Sequence, residues 1–392
     1  MRICSLVYHR PDTTPAGVEV TLWKLSKQLV ELGSEVHIVY EEGTCDAQEL
    51  TVDEVYLHGV GGEPHEPVSE KVYLMRSTWQ RLREIEKKFA PNIYAFHGVG
   101  SLLPIFRFRK QSLSPFAYHT YAALPYEAQR HLMSITRTSF SEFVRKSLMY
   151  GFYTTLEIAA LRRVDKVILP TARTIEELRS WYNCPRELMS VVPLGQDLFE
   201  RYGTNPRDGR IAGTEKNRVL LFVGNDWYRK GLKYLLMAFR ELAKKFPDLI
   251  LVVTGPPQAP LIRLAEELGI KGSVMFVGNV DERTLAALYG ECDIFVLPSL
   301  HEGFSNTIIE VMAFGKPVIT TEIAGFPVVN HGVEGLLVES TDYKALSSSI
   351  ELLLRNTELY AEMSKRASKK AQEYTWRKAA ERLLRIYETM QS

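Results

Sequence analysis

A chain of 392 residues with 45% hydrophobic and 24% charged residues has the composition of a folded protein with two domains of ordinary size. Its net charge of +1 gives the whole molecule no footprint for nucleic acid or another polyanion. Cys4, Cys45, Cys184 and Cys292 are scattered without metal-ligand spacing, and no apolar run nears the roughly 20 residues of a membrane span, so the expected setting is a reducing cytoplasm.

Taken in chain order, the first half alternates short β-rich runs with helical patterns. Arg2 to Val7 reads as a strand and, running straight into polar His9-Arg10-Pro11-Asp12, not as a signal peptide. Val18 to Leu32 is an amphipathic helix stopped by Gly33. Glu35 to Tyr40 is the next strand, and Glu70 to Phe89 is a charged helix broken by Pro91-Asn92. Strands follow at Ile93 to Phe96 and Phe116 to His119, then a helix from Leu148 to Arg163 and a strand from Lys166 to Leu169.

The polar, glycine-containing stretch 201–217 reads as a linker between a first domain, 1–200, and a second, 218–375. After it the alternation restarts with strands at Arg218 to Val223, Leu249 to Thr254, Val274 to Val277, Ile294 to Leu297 and Val318 to Thr321. The tail 376–392 is a final amphipathic helix. Strands alternating with helices imply α/β domains with parallel sheets covered on both faces, and ligands at the carboxyl ends of the strands.

Within the second half, Glu302 and Glu310 stand eight positions apart around Gly303-Phe304-Ser305-Asn306. Ser305 or Asn306 reads as an N-cap, and Gly315 with Pro317 ends the helix. Free N–H groups at the positive end of the helix dipole suit a diphosphate, and carboxylates beside them accept hydrogen bonds from sugar hydroxyls. The bare spacing also fits a capped helix with two incidental acids. Arg229-Lys230-Gly231 lies between a strand and a helix, where two cations either neutralise a leaving diphosphate or sit solvated on the surface. Thr254-Gly255 and Val277-Gly278-Asn279-Val280 are further strand ends of the kind that line a nucleotide site. Gly17 in the first strand-to-helix loop permits close backbone approach, while His119 and His97 end two strands and can meet a donor or acceptor hydroxyl.

One stretch departs from the near-neutral whole. Residues 101–170 hold ten Lys/Arg against four acids, among them Arg107, Arg109, Lys110, Arg130, Arg137, Arg145 and Lys146, interleaved with aromatic and apolar residues. Such a face suits an anionic acceptor or the surface of an anionic membrane; an ordinary solvated face is the alternative.

Glu302-Gly303-Phe304-Ser305-Asn306 through Glu310, then Ala313-Phe314-Gly315-Lys316-Pro317-Val318, resembles the signature of the retaining glycosyltransferases of family four. The resemblance runs along almost the whole chain. It implies the GT-B architecture: two Rossmann-like doubly wound domains facing a central cleft, an acceptor-binding first domain and a nucleotide-sugar-binding second, with the tail helix packing back on the first. It implies a retaining, metal-independent hexosyltransferase that uses a UDP- or GDP-linked sugar as co-substrate, with no other cofactor, and a glycan, lipid-linked or small-molecule acceptor. Glu302 would bind the transferred sugar, Glu310 the ribose, and Arg229 with Lys230 the leaving diphosphate. Gly17 would face the donor, His119 the sugar pocket, and the main chain near Val280 the base. Asn225, Val328 and Leu194 depart from the residues usual in the family at those places. Three rivals stand beside this reading. They are a nucleotide-sugar epimerase of the same fold, a non-catalytic nucleotide-sugar-binding protein, and a dinucleotide oxidoreductase resting on Gly98-Val99-Gly100, where Leu103 replaces the third glycine of the fingerprint.

Overall fold

The computed structural model describes residues 1–14, 17–42, 49–61, 67–121, 140–203 and 217–391. The chain divides into two units, Met1–Leu194 with Trp376–Ser392, and Gly195–Thr375. The division falls ahead of the expected boundary at residue 200. Leu198–Tyr202 is helical and Leu198 is buried in the core of the second unit, so the start of the expected linker belongs to that unit. Residues 204–216 of the linker lie outside the described residues.

The first unit is built on an eight-stranded sheet in the order β3-β4-β2-β1-β5-β6-β7-β8. Its strands are β1 (Arg2–Val7), β2 (Glu35–Glu42), β3 (Glu49–Val52), β4 (Val55–Gly61), β5 (Ile93–His97), β6 (Phe116–His119), β7 (Lys166–Leu169) and β8 (Met189–Val191). All pairings are parallel except β3 with β4. That edge hairpin escapes the periodicity argument. Its turn residues Asp53 and Glu54 take positive φ values of 47° and 62°, a mirror-image turn made without the usual glycine or asparagine. The C-terminal helix Trp376–Thr389 buries Trp376, Ala379, Ala380, Leu383 and Tyr387. This single face packs on the helix Gly17–Glu31 of the same unit.

The second unit has a six-stranded parallel sheet in the order β11-β10-β9-β12-β13-β14. The strands are β9 (Arg218–Val223), β10 (Leu249–Thr254), β11 (Val274–Gly278), β12 (Ile294–Leu297), β13 (Val318–Thr321) and β14 (Gly335–Val338). β10 and β12 are buried along their whole length, as strands covered on both faces must be. β9 and β12 are adjacent although some 70 residues separate them in the chain, so the loops leaving them emerge side by side.

Among the described residues, four buried histidines sit in the first unit: His37, His58, His97 and His119. His37 Nδ1 lies 2.9 Å from His58 Nε2, and His37 Nε2 lies 2.9 Å from Glu35. Burial, then the neighbouring His37, lowers His58 to about 4, and burial lowers His37 against the pull of Glu35 and Glu49. Arg81 and Lys88 add positive charge against protonation of the pair. Burial lowers His119 to about 3 and His97 well below its ordinary value. Folded-state values below the unfolded 6.5 mean that the unfolded chain binds protons first. The stability these groups contribute is present above pH 6.5 and is lost as pH falls toward 4 and, for His119, toward 3. The thermal midpoint is therefore expected to fall between pH 7 and pH 4.5. The fall should be shallower in His58→Gln, even though that variant starts lower at pH 7. Equal slopes in both proteins would remove His58 from the account.

Candidate active site

In the second unit, the loop leaving β9 and the loop leaving β12 carry the groups that the sequence singles out. Arg229 and Lys230 follow β9 and precede the helix Leu232–Lys245. Ser299 to Glu302 follow β12. The backbone N–H of Leu300 donates to the Arg229 carbonyl at 2.8 Å, and the Arg229 guanidinium donates to the His301 carbonyl at 3.0 Å. Thr321 pins the β12 loop from the other side by donating to the Ser299 carbonyl at 2.7 Å.

Two glycines allow the loops to close on one another. A Cβ on Gly231, whose φ is +76°, would lie 2.0 Å from the Pro298 carbonyl oxygen. One on Gly255, with φ +108°, would lie 2.0 Å from the Gly224 carbonyl oxygen. A side chain at Gly224 would in turn meet the Lys230 stem at 2.8 Å. Gly231 thus makes room for a loop from another strand, and Gly224 for the Lys230 stem of its own loop.

The resulting cluster has Glu302 at its centre. Glu302 is buried, and its carboxylate pairs with Lys230 and, at 3.3 Å, with Arg229. The Ser299 hydroxyl donates to the same carboxylate at 3.0 Å. Burial pushes the Glu302 carboxyl up, but Lys230 and Arg229 together outweigh it and hold the group below its ordinary range. Lys230 is itself buried, and burial lowers its ammonium against the opposing pull of Glu302. Arg229 stays half exposed and is steadied by Asp226, which accepts from the Arg229 backbone N–H at 3.1 Å. A buried carboxylate and ammonium persist only where each charge meets another.

Immediately beyond the cluster begins the helix Asn306–Ala313. Its N-cap, Ser305, makes no side-chain capping bond and instead shares a hydrogen bond with Thr307 at 3.1 Å. Ile308 N–H donates to the Ser305 carbonyl at 3.2 Å, and no capping side chain meets the N–H groups of Asn306 and Thr307, which suit an arriving anion, with two cations on the preceding loops. Gly303 and Phe304 are half buried, and the Phe304 ring lies 6.0 Å from that of Tyr374. Glu310, one turn into the helix, accepts from the buried Tyr289 hydroxyl at 2.8 Å. Burial, then Glu310, raises Tyr289 well above its ordinary value, so the phenol remains a donor. Gly255, Asn279 and Val280 follow the neighbouring strands β10 and β11 at the same sheet edge; Asn279 is exposed and Val280 packs on the core.

The first-unit residues divide. Register pairs His97 with His119 across β5 and β6, and their rings stack at 4.1 Å. His119 Nε2 shares a hydrogen bond of 2.7 Å with the hydroxyl of Tyr387 on the C-terminal helix. His119 Nε2 is thus engaged inside its own unit. Gly17 opens its helix at an exposed position where a Cβ would meet nothing within 4 Å, so its own chain does not demand a glycine. Pro15 and Ala16 lie outside the described residues.

Arg107, Arg109 and Lys110 precede β6, at the amino edge of the sheet, whereas His97 and His119 end strands at the carboxyl edge. Arg107 lies over the Trp79 ring at 4.0 Å, and Arg109 pairs with Asp165 at 2.7 Å. These three cations and the histidines do not form one acceptor pocket. Gly98-Val99-Gly100 follows β5 and opens only the four-residue turn Val99–Leu102, which offers no helix N-terminus for a dinucleotide and removes the oxidoreductase reading.

Comparison with known proteins accounts for the arrangement. The family model described as Glycosyltransferase Family 4 matches residues 15–199, and that described as Glycosyl transferases group 1 matches residues 207–370. A D-inositol 3-phosphate glycosyltransferase of Corynebacterium urealyticum is 30% identical over 243 residues, covering 58% of this chain and 57% of that protein. The chain thus spans little more than half the length of that curated relative. Among solved structures, a sucrose-phosphate synthase from Thermosynechococcus elongatus superposes with a TM-score of 0.80 at 19% identity, covering 99% of this chain and 98% of that one. The Anabaena protein HepE, solved with UDP and glucose, gives 0.76 at 18% identity over 99% and 100%. These likenesses carry the fold, GT-B with two Rossmann-like domains. With one family model over most of each half, the chain belongs to glycosyltransferase family 4.

Proposed function

We propose that this protein is a retaining, metal-independent glycosyltransferase that moves a hexose from a nucleotide-diphosphate sugar to an acceptor hydroxyl. The observation that carries the reading is the buried Glu302 held ionised between Lys230 and Arg229, directly before the uncapped start of the helix Asn306–Ala313. An anion arriving at that helix start meets N–H donors and two preorganised cations. As the sugar–phosphate bond breaks, negative charge grows on the leaving diphosphate, and Lys230 and Arg229 turn from Glu302 toward it. Glu302, released in part from its cations, accepts from hydroxyls of the transferred sugar. Glu310, oriented by Tyr289, accepts from the ribose. Family membership supports transfer over epimerisation, and UDP-hexoses head the candidate donors because HepE was solved with UDP and glucose.

The test is a thermal-shift panel of UDP- and GDP-linked hexoses, followed by product analysis of the donor that stabilises the chain. Release of nucleoside diphosphate with an α-linked product from an α-linked donor is the expected result. A changed sugar with the nucleotide still attached would make the protein an epimerase, and stabilisation without turnover over a broad acceptor panel would make it a binding protein. Turnover is expected to survive excess chelator, since cations of the chain act where other transferases use a divalent metal. Loss of turnover in chelator, restored by one divalent metal, would overturn metal independence.

A further inference from the structure

The two oxygens of the Glu302 carboxylate have different partners. Oε1 takes the Lys230 ammonium and, at 3.0 Å, the Ser299 hydroxyl. Oε2 takes the Arg229 guanidinium at 3.3 Å. Two of these three donors are the cations that turn to the diphosphate in the proposed transfer. The third is neutral and has no such pull toward an arriving anion.

Ser299 is also held in place by its backbone. It is fully buried, just past the end of β12, and its N–H donates to the Leu297 carbonyl at 2.9 Å. The neighbouring strand β13 pins the main chain on either side of Pro298. The Thr320 hydroxyl donates to the Leu297 carbonyl at 2.6 Å, and the Thr321 hydroxyl to the Ser299 carbonyl at 2.7 Å. Both threonines are fully buried. On the other flank Gly231 lies against the Pro298 carbonyl, where any Cβ would collide. A hydroxyl on a backbone pinned from both neighbouring strands is aimed before a ligand arrives. Arg229, by contrast, is half exposed on its loop.

The carboxylate needs that donor. Among the described residues, the charged groups facing Glu302 are Lys230 and Arg229, with Asp226 behind Arg229 at 3.7 Å. His301, its neighbour in the chain, is buried and gives its carbonyl to Arg229. Burial raises the Glu302 carboxyl, and Lys230, Arg229 and then the Ser299 hydroxyl lower it. Once both cations face a diphosphate, a buried carboxylate without a donor is costly and draws a proton. A protonated Glu302 would present a hydroxyl where the sugar needs an acceptor.

We infer, resting on the reading of Glu302 as the carboxylate that serves the sugar, that Ser299 is a positioning residue for the transfer. Its hydroxyl holds Oε1 in place while the cations turn away, and Oε2 is the oxygen that accepts a hydroxyl of the transferred sugar. The two oxygens of one carboxylate thus divide the work, one anchored to the β12 loop and one released to the substrate.

Ser299→Ala removes the hydroxyl and little volume. Read well below its thermal midpoint, its turnover at saturating donor is expected to fall about tenfold, the scale of one hydrogen bond to a charged group. The acid limb of kcat should move to higher pH, because losing a donor to the ionised form raises the carboxyl. A packing defect would instead lower the rate by one factor at every pH. If Ser299 acts through Glu302, Ser299→Ala/Glu302→Gln should be no slower than Glu302→Gln alone. Ser299→Ala with the parent's rate overturns the inference, as does a lowered rate with an unmoved acid limb. A double variant slower than Glu302→Gln by the full factor of the single variant overturns it too. A parent that transfers no hexose from any donor that stabilises it would end the donor reading, and the role of Ser299 with it. Transfer by the parent beside an unaffected Ser299→Ala would leave that reading whole and remove Ser299 alone.

Discussion

Lys230→Ala is expected to cut turnover on the true donor by about 10²-fold or more, the scale for losing one preorganised group that stabilises developing charge. Affinity for the free nucleoside diphosphate should fall less, because Arg229 and the first-turn N–H groups of the helix Asn306–Ala313 remain. The variant also has a structural cost. Lys230 is the closer of the two cations at buried Glu302, and its loss leaves that carboxylate with Arg229 at 3.3 Å and the Ser299 hydroxyl at 3.0 Å. Removing one partner from a buried ion pair destabilises by about 3–5 kcal/mol in other proteins. A fall in activity alone is therefore ambiguous, so turnover of the single variant is read well below its thermal midpoint, and a second variant reads the structural cost. In Lys230→Ala/Glu302→Gln the buried charge is gone, so the thermal midpoint should recover toward the parent, but turnover should not. Turnover that returns with the midpoint would reduce Lys230 to a counter-ion for Glu302, and unchanged turnover in the single variant would refute its catalytic role directly.

The parts of the fold legible in the sequence are those where burial writes a continuous signal. β9, β10, β12 and β13 are apolar runs between breakers, and each is found at its expected bounds. β3 and β4 were missed because Asp53-Glu54 adopts a turn that those residues rarely make, and β8 because three residues are too few to show a period. β14 opens on Gly335 and offers only Leu336, Leu337 and Val338 as an apolar run.

The candidate site follows the same division. The approach from Glu302 to the helix start is local and could be read from capping and breaking residues. Ser299 and Tyr289 could not, because they reach Glu302 and Glu310 from positions that carry no periodic signal. The hydrogen bond from His119 to Tyr387 joins residues 268 positions apart, and no local pattern announces it. The charge excess of residues 101–170 was visible as a sum, but a sum has no direction. The fold pairs Arg109 with Asp165 beside the start of β7, leaves Arg145 exposed on the helix Phe140–Leu161, and buries Glu157 of that same helix.

The two signature glutamates are expected to fail in different ways. Glu310→Ala should weaken the intact donor and the free nucleoside diphosphate by similar factors, because the ribose is common to both. Glu302→Ala should leave the nucleoside diphosphate bound while cutting turnover of the donor steeply, since its carboxylate serves the sugar. Its loss also frees Lys230 and Arg229 from a competing anion, so diphosphate affinity should hold or rise. The structure supplies a finer probe. The Tyr289 hydroxyl donates to Glu310 at 2.8 Å. Tyr289→Phe keeps the buried ring and removes that one bond, a change of about 1 kcal/mol for a neutral donor and somewhat more toward a carboxylate. It should therefore weaken nucleotide and donor alike, as Glu310→Ala does but by less, and leave the rate at saturating donor near the parent value. Calorimetry with nucleoside diphosphate and intact donor, read beside steady-state rates, measures each arm. Equal losses for both ligands in both glutamate variants would end the division of labour. A Tyr289→Phe variant that loses rate instead of affinity would move Glu310 from ribose binding to the reacting sugar.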